Sequence, residues 1–231
     1  MDIKQYTNEA VELLQRLIAT PSVSRDEGAA ADVLADFIGK CGLPVKRIGN
    51  NLLVQEAIDD NKPTLLLNAH IDTVKPVSTW TRDPFTPTIE DDYLYGLGSN
   101  DCGGGLVSLL QVYRILRTRD VPYNIVYLAS CEEEVSGQNG FSLALPELPK
   151  IDVAIVGEPT GMQPAIAEKG LMVIDGTSGL STHTSSCASV GSRTGIRFDR
   201  THWFARQSQS GTRQAPHYAG CRYSAWLPSS L

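Results

Sequence analysis

The chain has 231 residues, 42% of them hydrophobic, a formal net charge of -6 and a pI near 5.2. That length can bury a real core as one large domain or two small ones. The acidic balance disfavours nucleic acid as a partner, and no apolar run approaches the ~18 residues needed to span a bilayer. Five irregularly spaced cysteines, Cys41, Cys102, Cys131, Cys187 and Cys221, argue against a disulfide framework or a zinc ribbon. The N-terminus lacks the basic start and apolar stretch of a secretory signal, so a cytoplasmic protein without membrane contact is expected.

Thr7 reads as the N-cap of a first helix. Ala10, Val11, Leu13, Leu14, Leu17 and Ile18 line its apolar face, and Pro21 ends it. A second helix is expected from about Asp26–Glu27, where early acids favour the positive helix end. Its stripe is Ala30, Val33, Leu34, Phe37, Ile38 and Cys41, with Gly42 just past the end. Val45–Ile48 and Leu52–Glu56 flank Asn50-Asn51, which reads as a hairpin turn. Thr64–Ala69, Asn124–Ser130 and Val153–Gly157 are short apolar runs typical of buried strands. A helix over about Gly104–Arg117 separates the first two, and Leu171–Asp175 reads as a last strand. Alternating strands and helices predict an α/β fold, a mixed sheet flanked by helices.

Composition changes sharply after Gly176. Residues 1–176 hold 25 of the 26 acids and 14 of the 20 basic residues, a net charge of -11; residues 177–231 hold one acid, Asp199, and six arginines, a net charge of +5. This last segment has no apolar periodicity to offset the entropy of ordering its backbone, and a poorly structured tail is expected. It could be a natural basic tail, a divergent small domain or out-of-frame translation. An Arg- and Ser-rich composition nearly free of Asp, Glu and Lys favours the third.

The residues that carry chemistry follow the strands. Thr64–Ala69 leads to His70-Ile71-Asp72, Asn124–Ser130 to Cys131-Glu132-Glu133-Glu134, and Val153–Gly157 to Glu158-Pro159; Asp101 lies just before the glycine-rich start of a helix. Ligands of open α/β sheets sit beyond the strand ends. Carboxylates gathered there resist joint ionisation, and a divalent cation removes the conflict. Mixed nitrogen and oxygen donors suit Zn²⁺, or Co²⁺ or Mn²⁺. Each piece has a plainer reading: His-x-Asp as a structural pair, the three glutamates as a solvated turn, Asp101 as a helix cap. Their common placement at strand ends makes coincidence a poor account. Gly98-Ser99-Asn100-Asp101 fits no phosphate-binding pattern, and no papain-like or caspase-like motif surrounds Cys102 or Cys131.

NAHIDTV, YGLGSNDCGGG, ASCEEEVSGQNG and VGEPTG, in that order, resemble the dinuclear zinc hydrolases of the acetylornithine deacetylase and succinyl-diaminopimelate desuccinylase family. The resemblance covers residues 1–176. It implies the N-terminal part of a zinc-exopeptidase-like catalytic domain and two divalent metal ions. His70 and Glu158 would bind the first cation, Glu134 the second, and Asp101 would bridge both. Asp72 would orient His70 by accepting its other ring N–H. Glu133 would be the general base, taking a proton from water and passing it to the leaving amine. A cis peptide at Asp101–Cys102 is also implied. The reaction would be hydrolysis of a small N-acyl amino acid, N-acetylornithine first, in arginine biosynthesis; desuccinylase, dipeptidase and carboxypeptidase are alternatives, as is a non-catalytic fragment. The family's homodimerisation domain and the last histidine of the second metal are not recognisable after residue 176. His183, His202 and His217 do not sit in matching contexts. An incomplete second site and little activity from these 231 residues are therefore expected.

Overall fold

In the computed structural model, residues 2–166 are described, together with the backbone of Cys221–Arg222. The first helix, α1, spans Ile3–Ile18. It starts ahead of Thr7 because the Asp2 side chain accepts from the N–H groups of Lys4 and Gln5, while the Thr7 hydroxyl donates back to the Ile3 carbonyl. The second, α2, spans Gly28–Lys40, so Asp26 and Glu27 precede it, and Glu27 makes no capping bond. Two short strands, β1 (Lys46–Ile48) and β2 (Asn51–Gln55), form the expected hairpin. Its turn is Gly49-Asn50 rather than Asn50-Asn51, because Ile48 pairs with Asn51 and Gly49 takes the positive φ of 62°.

Strand β3 spans Thr64–His70. A hairpin absent from the sequence reading follows, β4 (Thr88–Glu90) and β5 (Tyr93–Tyr95). Asp91 and Asp92 form its turn, both at positive φ, a conformation that Asp tolerates better than most residues. The backbone of β8 (Cys221–Arg222) pairs with β5. Helix α3 spans Gly105–Leu116, β6 Asn124–Ser130, the one-turn helix α4 Phe141–Ala144, and β7 Val153–Val156. Leu171–Asp175 and nearly all of the basic segment lie outside the described residues.

The main sheet has the order β1-β2-β6-β3-β7. The first two pairings are antiparallel, and β6, β3 and β7 run parallel, so the sheet is mixed, as expected. Alternation along the strands separates two cores. Leu52, Val54, Leu67, Ala69, Tyr127 and Ala129 meet the three long helices, through Leu13, Leu14, Leu34, Ile38, Leu106 and Leu110 among others. Leu53, Leu66, Val126 and Leu128 pack with Ala144 on the opposite side. Each fully buried Leu contributes roughly 2 kcal/mol. Among the described residues no helix is long and apolar enough to cross a membrane.

What this topology does for the site is simple. His70 pairs in register with Ser130, and the Gly157 N–H donates to the Asn68 carbonyl at 2.8 Å. The segments leaving β3, β6 and β7 therefore emerge side by side.

Candidate metal centre

His70 ends β3 and is buried, its ring held at both nitrogens. Nε2 lies 3.0 Å from Asp101 Oδ1, and Nδ1 lies 2.8 Å from the Asp72 main-chain carbonyl and 3.4 Å from Asp72 Oδ1. The acceptor nearest Nδ1 is thus the Asp72 backbone, not the side chain the sequence suggested. The Asp72 carboxylate is fully buried and works mainly elsewhere. It accepts from Ser24 Oγ at 2.7 Å and from the N–H groups of Glu133 and Glu134 at 3.0 and 3.2 Å. One aspartate thereby ties the histidine to the turn that carries two glutamates.

Asp101 sits in an irregular turn, Ser99–Gly104, ahead of α3, and its peptide bond to Cys102 is cis. The start of α3, just after this turn, comes close to the end of β7 because both touching positions are glycine: a Cβ on Gly105 would lie 2.4 Å from the Gly157 carbonyl oxygen. Glu158 follows at once, and its Oε1 lies 3.9 Å from His70 Nε2, as does Glu133 Oε2. Donor atoms of His70, Asp101 and Glu134 lie within 4.8 Å of one another, and so do those of His70, Cys102 and Glu158. All six residues singled out from the sequence are brought together. Of the three consecutive glutamates, Glu132 turns away: its carboxylate accepts from Asn139 N and Nδ2 at 3.2 and 2.8 Å. Ser24, Glu27, Asn51 and Asn139, which hold these turns from behind, were not recognised from the sequence. Their spacing carries no signal, because side-chain hydrogen bonds between distant segments leave no period.

The electrostatics reflect crowding. Burial raises the Glu134 pKa, and neighbouring Asp101 adds to it, to about 7. Burial likewise brings Glu158 to about 7, with His70 opposing and Asp101, Glu133 and Glu134 reinforcing the rise. Burial opposes charge on His70, but the hydrogen bonds to Asp101 and Asp72 and the charge of Glu158 outweigh it and push the ring up to about 11. Among the described residues His70 is thus the group nearest these acids that can carry positive charge, a place a divalent ion would take with greater effect. The donor set, one imidazole nitrogen and several carboxylate oxygens, fits Zn²⁺, Co²⁺ or Mn²⁺. The thiols do not compete as nucleophiles. Burial pushes Cys131 up to about 12 and Cys102 further, so both stay protonated.

One imidazole and three acids at the carboxyl ends of parallel strands, joined by Asp101 from the turn ahead of α3, define an α/β protein whose site suits divalent cations. The chain belongs to peptidase family M20/M25/M40, a family of metallohydrolases, which it matches over residues 66–212. It is 37% identical over 194 residues to the acetylornithine deacetylase of Pectobacterium carotovorum subsp. carotovorum (strain PC1), an alignment covering 76% of this chain and 50% of that protein. The chain spans about half the length of the curated relatives it matches. Its fold is similar to that of the M20 family metallo-carboxypeptidase Sso-CP2 from Sulfolobus solfataricus, with a TM-score of 0.52 and 25% identity over 68% of this chain and 37% of that one. It is also similar to the Bacillus subtilis YXEP protein, described as a dinuclear metal binding peptidase, with a TM-score of 0.51 and 13% identity over 66% and 43% of the two chains.

Proposed function

We propose that the chain carries the metal centre of an amidohydrolase acting on N-acyl amino acids, with N-acetylornithine as the substrate. The convergence of His70, Glu133, Glu134 and Glu158 from three strand ends with Asp101 from the turn ahead of α3 carries this reading, and the identity to acetylornithine deacetylases supports the choice of substrate. The change of composition after Gly176 supports placing the centre within residues 1–176.

His70, Asp101 and Glu158 would hold one cation, and Asp101 and Glu134 a second. Bound there, divalent metal supplies Lewis-acid polarisation of the amide carbonyl and makes water acidic enough to attack near neutral pH. Glu133 is about half exposed, so it can meet solvent and substrate while its main chain is held by Asp72. It takes the proton of the attacking water and returns it to the departing amine. Asp72 keeps the His70 ring oriented through its backbone carbonyl and carboxylate. Among the described residues Asp101 and Glu134 alone would be left to hold the second cation, so the first is expected to bind more tightly.

Zn²⁺ and Co²⁺ titration calorimetry on the purified chain tests the centre. His70→Ala, which removes the imidazole common to both groups of donor atoms, is expected to weaken binding by more than about 100-fold. Equal affinity in the variant and the parent chain would sink the reading. Substrate choice is tested by which of N-acetylornithine, N-succinylornithine and simple dipeptides the metal-loaded chain hydrolyses fastest, at the low rates expected with an incomplete second site. Preference for a dipeptide would move the assignment to a metallopeptidase, and preference for the succinyl compound to a desuccinylase.

A further inference from the structure

Behind the acid ring lies a second polar layer, of which the chemistry above uses only Asp72. The four consecutive N–H groups of residues 131–134 all donate to side-chain oxygens from separate parts of the chain. Cys131 N–H meets Asn51 Oδ1 at 2.9 Å, and Glu132 N–H meets Glu27 Oε1 at 3.2 Å. Asp72 takes the next two. Glu27, Asn51 and Asp72 are each 0% exposed. Buried polar groups persist where they are hydrogen-bonded, and these are. Glu27 also accepts from Arg25 N–H at 2.6 Å and Asn50 Nδ2 at 3.1 Å. Asn51 Nδ2 donates to the carbonyls of Ile48 and Asn139 at 2.8 and 2.7 Å.

The turn they hold has backbone that would not keep its shape unaided. Glu132 and Ser136 lie at φ of 54° and 47°, which residues with side chains adopt only under constraint. At Gly137 a Cβ would lie 1.9 Å from Glu132 Oε2, so the turn closes tightly on the Glu132 carboxylate. Glu133 and Glu134 have no regular sheet or long helix of their own to fix them. Their carboxylates are aimed by N–H groups anchored to the start of α2, the β1–β2 hairpin and the end of β3.

We propose that Glu27 and Asn51 are positioning residues of the metal centre. They act through the 131–134 backbone to set where the Glu133 and Glu134 carboxylates stand relative to His70 and Asp101. The inference rests on the metal-centre reading above. Removing the Glu27 oxygen frees the Glu132 N–H and the left-handed residue that depends on it, and the two following carboxylates lose their alignment. Loss of such outer support weakens metal binding by roughly 10- to 100-fold.

The test titrates the full 231-residue chain with Co²⁺, whose visible absorption reports ligand geometry, and measures urea unfolding of the metal-free protein alongside. Glu27→Ala and Asn51→Ala are expected to weaken Co²⁺ binding by about 10- to 100-fold and to shift the absorption band. Glu27→Gln keeps an oxygen for the Glu132 N–H and is expected to recover affinity to within about threefold. Arg114→Met, which breaks an ion pair with Glu9 among the helices, should lower the urea midpoint without moving the Co²⁺ affinity or spectrum. If an alanine variant does not fold, Glu27→Asp, one methylene too short to reach the Glu132 N–H, takes its place with the same expectation. Unchanged affinity and spectrum in Glu27→Ala, or in Glu27→Asp where it takes its place, with normal binding by the parent chain, would overturn this inference and leave the metal centre standing. No Co²⁺ binding by the parent chain would overturn both.

Discussion

Two layers of buried acid lie back to back in this protein, and they behave oppositely. Asp72 resists protonation despite complete burial: the desolvation that would raise its pKa is outweighed by hydrogen bonds from His70, Ser24 and the Glu133 backbone. Glu134 and Glu158, only half-buried, are raised to about 7. The difference is the supply of donors. Asp72 faces N–H and O–H groups and is content to be charged. The front layer faces other carboxylates and has a single imidazole to share. Burial by itself therefore does not mark a cation site; acids grouped together without enough donors do.

The contrast is broken most severely by Asp72→Ala, which strips acceptors from Ser24, Glu133 and Glu134 at once. Unfolding in urea is expected to show a loss of about 3 kcal/mol or more. A loss below about 1 kcal/mol would mean that the rear layer does not hold the turn. Next comes Glu134→Gln, which should act in the opposite direction on the front layer. Relieving one member of a crowded set is expected to stabilise the metal-free chain by roughly 1 kcal/mol near neutral pH, discounted for solvent screening. The same change should weaken Zn²⁺ binding in calorimetry. A variant both less stable without metal and unchanged in Zn²⁺ affinity would contradict the assignment of Glu134 to a crowded cation site.

The smallest expected effect is a slope with pH. The folded values of Glu134 and Glu158 stand above the ordinary glutamate value of 4.5, so the folded state holds their protons more firmly than the unfolded chain does. Their contribution to stability is complete below about pH 4.5 and is lost as pH rises through about 7. His70, raised from 6.5 to about 11, adds a further loss across that higher interval. Asp72 works the other way, contributing above its unfolded value and failing as pH falls through its lowered folded one. Urea midpoints of the metal-free chain should therefore decline from about pH 5 to about pH 8, while saturating Zn²⁺, which binds the deprotonated ligands, should reverse the trend. A metal-free midpoint that climbs over that range would mean the front-layer carboxylates are not crowded.

The legible parts of the fold were those with a strong local pattern. The runs Thr64–Ala69 and Asn124–Ser130 became the central parallel strands, and the stripes of α1, α2 and α3 became their cover. Boundaries were less legible. The cap of α1 is Asp2 rather than Thr7, and the first hairpin turns one residue earlier than Asn50-Asn51 suggested. Those choices depend on which side chain reaches which N–H, and several residue types compete for each place. The β4–β5 hairpin went unread because its strands are three residues each and its turn is two aspartates rather than Asn-Gly.

For the site, the order of His70, Asp101, the glutamates and Glu158 after successive strands was enough to bring them together in thought, because parallel strands must deliver their C-terminal ends to one side of a sheet. The chemistry available, one imidazole with several carboxylates, follows from those letters alone. Only the tertiary structure decided that Glu132 turns away from its two neighbours, that Asp72 holds a distant turn while its backbone meets the His70 ring, and that Glu27 and Asn51 stand behind them. These are contacts between segments far apart in the chain. Such contacts have no period to read, and they exist because every buried polar group must find a partner wherever the folded chain places one.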